Sequence, residues 1–135
     1  MLLLNSNQIG DAGVAALGAA AGKGALCNVT KLCLSHNRIS CEGATALAAA
    51  ASAGGLRALQ YVVLERNCIG SSGMRAIATA IATSGAFLRC AASPGASKSV
   101  AAGNHLFLKF NPADATPVLE AMDERARWVR KNAVF

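Results

Sequence analysis

The sequence has no uncharged stretch longer than the 14 residues from Gly43 to Leu56, and half of that stretch is alanine, with Gly and Ser among the rest. A membrane-spanning helix needs about 20 predominantly apolar residues, so none is expected. The first residues, Met1-Leu2-Leu3-Leu4-Asn5, lack the basic flank of a secretory signal. No Cys-x-x-Cys pair occurs, and the five cysteines are an odd number, which is unlike the disulfide framework of a small secreted domain. These absences point to a reducing setting, the cytoplasm first and the nucleus second.

Signatures of chemistry are missing as well. There is no Gly-x-Ser-x-Gly, no His-Glu-x-x-His and no phosphate-cradling Gly-x-x-x-x-Gly-Lys. Cys33 and His36 would point in different directions on an extended strand, so they do not make a nucleophile and its base. Cys27, Cys33, His36 and Cys41 lie within 15 residues and invite a zinc site, but a strand face and the start of a helix on its far side do not converge on one ion. No enzyme activity, metal, cofactor or small-molecule substrate is expected. Six aromatics are few for stacking bases. The net charge of +6 is spread, with six Lys+Arg against three acids in residues 1–87 and seven against four in 88–135. That balance disfavours nucleic acid and suits an acidic protein partner steered by charge.

What is abundant is alanine: 30 residues, more than a third of the 53% hydrophobic fraction. The core must therefore be thin and packed with small side chains. A chain of this length suits a single domain that buries about two thirds of its unfolded surface.

Three segments align without a gap at an offset of 30. Leu2, Leu4, Asn7, Ile9, Gly13 and Leu17 recur as Leu32, Leu34, Asn37, Ile39, Gly43 and Leu47, then as Val62, Leu64, Asn67, Ile69, Gly73 and Ile77. A weaker fourth unit places Leu106, Leu108 and Asn111 at the same spacing, 44 residues on; the surplus falls in the small, polar, Pro/Gly-containing stretch around residues 88–103, read as a flexible insertion. In each unit the alternating aliphatics predict a short strand. The Asn falls at a turn, where its amide can serve neighbouring backbone groups. Gly-x-x-x-Leu opens a helix with one small, apolar face. Asp11 and Ser71 are expected to cap the first and third helices, with Cys41 a poorer cap for the second. Thr116-Pro117 is expected to open an amphipathic capping helix from Pro117 to about Arg130.

Strands pack about 4.8 Å apart and helices about 8–10 Å, so stacked strand-plus-helix units must curve with the strands inside. The motif, standing here as Val29-x-x-Leu32-x-Leu34-x-x-Asn37-x-Ile39 and Leu59-x-x-Val62-x-Leu64-x-x-Asn67-x-Ile69, resembles the leucine-rich repeat. The added Gly-x-x-x-Leu helix is similar to the ribonuclease-inhibitor-like subclass, found in ribonuclease inhibitor, NOD-like receptor arms and Ran GTPase-activating proteins. The resemblance implies an α/β fold: a right-handed leucine-rich-repeat solenoid, or horseshoe, with parallel strands on the concave face and helices on the convex face. It implies one domain over 1–135, in units of about 1–28, 29–58 and 59–87 with an atypical capping unit at 104–135. Met1 aligns with Lys31, inside a strand, so the chain is expected to be a fragment of a longer array.

Residues alternating with the core leucines should face the concave side. Leu3, Cys33, Val63 and Phe107 would form an apolar stripe, flanked by Lys31, Tyr61 and His105 on one side and by Glu65 and Lys109 on the other, with Ser6, His36, Arg66 and Phe110 at the rim. The expected site is therefore Lys31, Cys33, Tyr61, Val63, Glu65, Arg66, His105, Phe107 and Lys109, binding a partner protein without catalysis. The alternative implied by the resemblance is a Ran-type GTPase-activating fragment.

Overall fold

A computed structural model describes residues 1–84, 86, 106–108, 111–114, 116–118, 120, 121, 123 and 124. Strand and helix alternate along the chain: β1 (Leu2–Leu3), α1 (Gly10–Gly22), β2 (Lys31–Cys33), α2 (Cys41–Ser52), β3 (Tyr61–Val63), α3 (Ser71–Ser84) and β4 (Leu106–Phe107). The strands form one parallel sheet in the order β1-β2-β3-β4. Leu2 pairs with Leu32 and Leu32 with Val62, so the 30-residue period of the sequence is the register of the sheet. α1 packs on α2 and α2 on α3. This stacking of strand-plus-helix repeats, each on the next, is a solenoid.

The core lies between the sheet and the helices. Leu32, Leu34, Ile39 and Leu47 of the second repeat and Val62, Leu64, Ile69 and Ile77 of the third are almost wholly buried. Small residues set how near the helices come. A Cβ on Gly43 would fall 2.5 Å from Asp11 Oδ1, and one on Gly73 would fall 3.0 Å from Cys41 Cα. Neither backbone nor carboxylate can yield there, so the recurrent glycine is a requirement of close packing.

The expected capping is corrected by a shift of one repeat. α1 is preceded by Ile9 in helical conformation with no side-chain cap, and Asp11 already lies in its first turn. The Asp11 carboxylate instead accepts from Ser40 N at 2.7 Å, Ser40 Oγ at 2.6 Å and Gly43 N at 2.9 Å, so it serves the start of α2. α2 has Ser40 as its own cap, accepting from Glu42 N. Cys41 repeats the role of Asp11 one unit on, its thiol hydrogen-bonded by Ser72 and by the amides of Gly73 and Gly70, which lowers its pKa. Similarly, Thr116 is already helical, and Asp114 Oδ1 takes its amide and its hydroxyl. The remainder of the expected capping helix, beyond residue 124, and the insertion at 88–103 lie outside the described residues.

The asparagines bind the turns together. Asn67 Oδ1 accepts from Asn37 N and Ile39 N at 2.9 and 3.1 Å, while its Nδ2 donates to Leu34 O and Leu64 O. Asn37 does the same toward the first repeat, through Asn7 N, Ile9 N and Leu4 O. Asn111 accepts from Ile69 N and donates to Leu64 O and Leu108 O. It acts as the fourth rung despite its 44-residue spacing, and β4 keeps register, with Val62 opposite Leu106.

Two outcomes test this description. Asn67→Ala strands buried amides and carbonyls and should cost about 3 kcal/mol in urea unfolding, whereas exposed Asn7→Ala should cost under about 1 kcal/mol; equal losses would contradict the ladder. Burial raises the pKa of Asp11, but the hydrogen bonds from the Ser40 hydroxyl and amide and the Gly43 amide hold it below the ordinary carboxylate value. A depressed folded pKa stabilises above the unfolded value and is lost as pH falls. The stability difference between the protein and Asp11→Asn should therefore hold from pH 7 to about 5 and shrink below about 4.

Candidate protein-interaction face

Leu32 and Leu34 point into the core, so strand alternation turns Lys31, Cys33 and Ser35 to the other face of the sheet, and likewise Tyr61, Val63 and Glu65. In parallel register Lys31 lies opposite Tyr61, and the Lys31 ammonium sits 4.3 Å from the centre of the Tyr61 ring. Such a pair holds a cation and an aromatic edge in place before any partner arrives. Lys31, Tyr61, Val63 and Glu65 are half-buried, and Arg66 is exposed.

Cys33 is the correction within the expected stripe. It stands between Leu3 and Val63 in the sheet register and is only 4% exposed. It therefore presents almost no surface to a partner. Leu3, on the edge strand, is 54% exposed and carries the apolar character of the stripe at that end. Phe107 takes its place in β4 opposite Val63, whereas its side chain, and His105 and Lys109 altogether, lie outside the described residues.

The turn beside the sheet adds a second column. Ser6, His36 and Arg66 recur every 30 residues with φ of +57°, +56° and +53°, a left-handed conformation that non-glycine residues seldom adopt. Each is exposed, and the turn directs each away from the core. Two positions further on, exposed Arg38, also left-handed, donates to Gln8 Oε1 at 3.4 Å. Arg38 was not among the expected site residues, although its position in the period, two after His36, marks it as part of the same turn. The Lys31–Tyr61 pairing was equally readable, since the two differ by one period.

Chemistry elsewhere is sparse. Among the described residues no group of three or more His, Cys, Asp or Glu is placed to hold a metal, and no helix is long and apolar enough to cross a membrane. A shallow groove of about 470 Å³ between α2 and α3 is lined by Ala, Thr and Ser, with Arg75 the one charged side chain among its lining residues.

The exposure differences give a direct check. In the folded protein a water-soluble thiol reagent should modify exposed Cys68 and leave Cys33 untouched until denaturant is added; equal modification of both would contradict the closed stripe.

Comparison with protein families finds the Leucine Rich repeat family matching at residues 2–18, 25–48 and 56–78, which are the three strand, turn and helix segments described above. No curated protein and no solved structure matches the chain. The family repeats coincide with the asparagines at Asn7, Asn37 and Asn67 and with the glycines of close helix contact, and on that agreement the three units within residues 2–78 are leucine-rich repeats.

Proposed function

We propose that the sheet face and its adjoining turn bind a partner protein, within a horseshoe of the ribonuclease-inhibitor-like subclass. Leucine-rich repeat domains generally mediate protein–protein interaction, and they are typically non-catalytic. The observation that carries the reading is the Lys31–Tyr61 pair beside half-buried Val63, an apolar centre with an ordered aromatic and cationic border. Tyr61 and Arg66 are the anchors, with Lys31, Val63 and Glu65 around them; of the other expected contacts, Phe107 is described only by its backbone place in β4, and His105 and Lys109 lie outside the described residues. Cys33 contributes by filling the floor of the sheet rather than by contact. Lys31, Arg38 and Arg66 against Glu65 give this side a cationic excess, which favours an acidic partner. Among the described residues nothing favours GTPase activation over binding.

The test is affinity for a partner captured from lysate and then purified. Tyr61→Ala and Arg66→Ala should each weaken it about tenfold or more, and Arg75→Ala on the helix side should leave it within about twofold. Unchanged binding by the first two, with loss on Arg75→Ala, would move the site to the helices.

A further inference from the structure

We infer that the exposed side chains of the second and third turns form a receptor for a single phosphoryl group, so that the partner protein is met through a phosphorylated serine side chain. This rests on the reading of the turn as part of the binding surface, and it specifies what the turn takes.

The backbone places the receptor. In each of these turns two exposed residues flank the buried asparagine: His36 and Arg38 on either side of Asn37, Arg66 and Cys68 on either side of Asn67. The turns are stacked by the amide of His36 on Glu65 O, those of Asn37 and Ile39 on Asn67 Oδ1, and that of Cys68 on Ile39 O. The four flanking positions are therefore the corners of a quadrilateral, with neighbouring repeats about 4.8 Å apart along one side. Arg38 and Arg66 take opposite corners, and His36 and Cys68 take the other two. Left-handed backbone at His36, Arg38 and Arg66, together with the amides already bonded between turns, fixes where these side chains start. Recognition then falls to the side chains.

Their chemistry selects the ligand. A group over the centre is reached by guanidinium forks from both sides, with the His36 ring at a third corner. None of the four is a carboxylate, and Arg38 donates to neutral Gln8 Oε1 at 3.4 Å, a bond that leaves its charge uncompensated. Glu65, the acid next to Arg66 in sequence, is half-buried on the sheet face with Tyr61 and Val63. Two guanidinium charges match one phosphoryl group, which carries about −2 at pH 7 and offers three acceptor oxygens to planar N–H forks. A single carboxylate matches only one of them. A nucleic-acid backbone asks for a track of cations, because each phosphate neutralised adds to binding, and for aromatics on which bases stack. Along the stacked turns the first repeat offers neutral Ser6 and Gln8, and none of the six flanking positions is aromatic. The positive charge is thus gathered at one point rather than drawn out in a line.

The test passes three pools of short peptides over immobilised protein, random except for a central phosphoserine, serine or glutamate. The phosphoserine pool should be retained at least about tenfold more strongly than either of the others. Arg38→Asn and Arg66→Asn should each abolish that preference, asparagine being a residue that accepts the left-handed backbone, while Arg75→Ala on α3 should keep it. Modification of exposed Cys68 by a thiol reagent should slow when the phosphoserine pool is bound. Four results would overturn the inference: no preference over serine, equal retention of the glutamate pool, a preference that survives both asparagine variants, or tighter retention of a single-stranded oligonucleotide, which would give the site to nucleic acid. Failure of the sheet-face reading shows separately, as partner affinity unchanged by Tyr61→Ala.

Discussion

The structure depends on a buried side-chain amide that does backbone work between repeats. A strand must turn toward its helix within a few residues, and that turn leaves amides and carbonyls that no sheet or helix ladder can serve. Asn67 takes two of those amides from the second repeat and returns its own hydrogens to Leu34 O and Leu64 O. One residue type thus closes its own turn and fixes the spacing to the turn before it. The constraint is local, and so the surplus residues before β4 are tolerated: Asn111 reaches Ile69 N and Leu64 O as the fourth rung, and the strand register is kept.

On the helix side the same logic acts through volume. Gly43 and Gly73 admit Asp11 and Cys41 of the preceding repeat, whose side chains accept hydrogen bonds at the start of the next helix. Carboxylate and thiol are different chemistry in one geometric role. Both groups have lowered pKa values for the same reason, an acceptor surrounded by amide and hydroxyl donors. Turn and helix start are thereby locked, and the side of the sheet away from the helices is left free to vary.

Much of this was legible in the sequence because periodicity is a strong signal. The 30-residue offset gave the strands, the helices, the parallel register and the core face, and the asparagine was recognisable as a turn residue with two kinds of hydrogen-bonding group. What it could not give was which neighbour each polar group serves. Asp11 looked like the cap of its own helix, yet it acts on the next repeat, because local order along the chain does not say what is stacked beside it. Strand alternation assigns Cys33 to the outer face but does not reveal that it is buried, since alternation gives direction, whereas exposure depends on what the neighbouring strands place beside it. Arg38 was passed over because strand alternation stops at the turn, where a left-handed backbone redirects the side chains.

A repeat that uses its leucines, asparagines and glycines for stacking keeps only the outward strand and turn positions for recognition. In this chain those positions hold an ordered Lys31–Tyr61 pair, half-buried Val63 and the exposed turn residues His36, Arg38 and Arg66. The helix side offers alanine and threonine. The most direct test places a photo-crosslinking amino acid at residue 61 in one protein and at residue 79 of α3 in another. The account requires a protein partner crosslinked from residue 61 and absent from residue 79; a partner trapped only from residue 79 would contradict it.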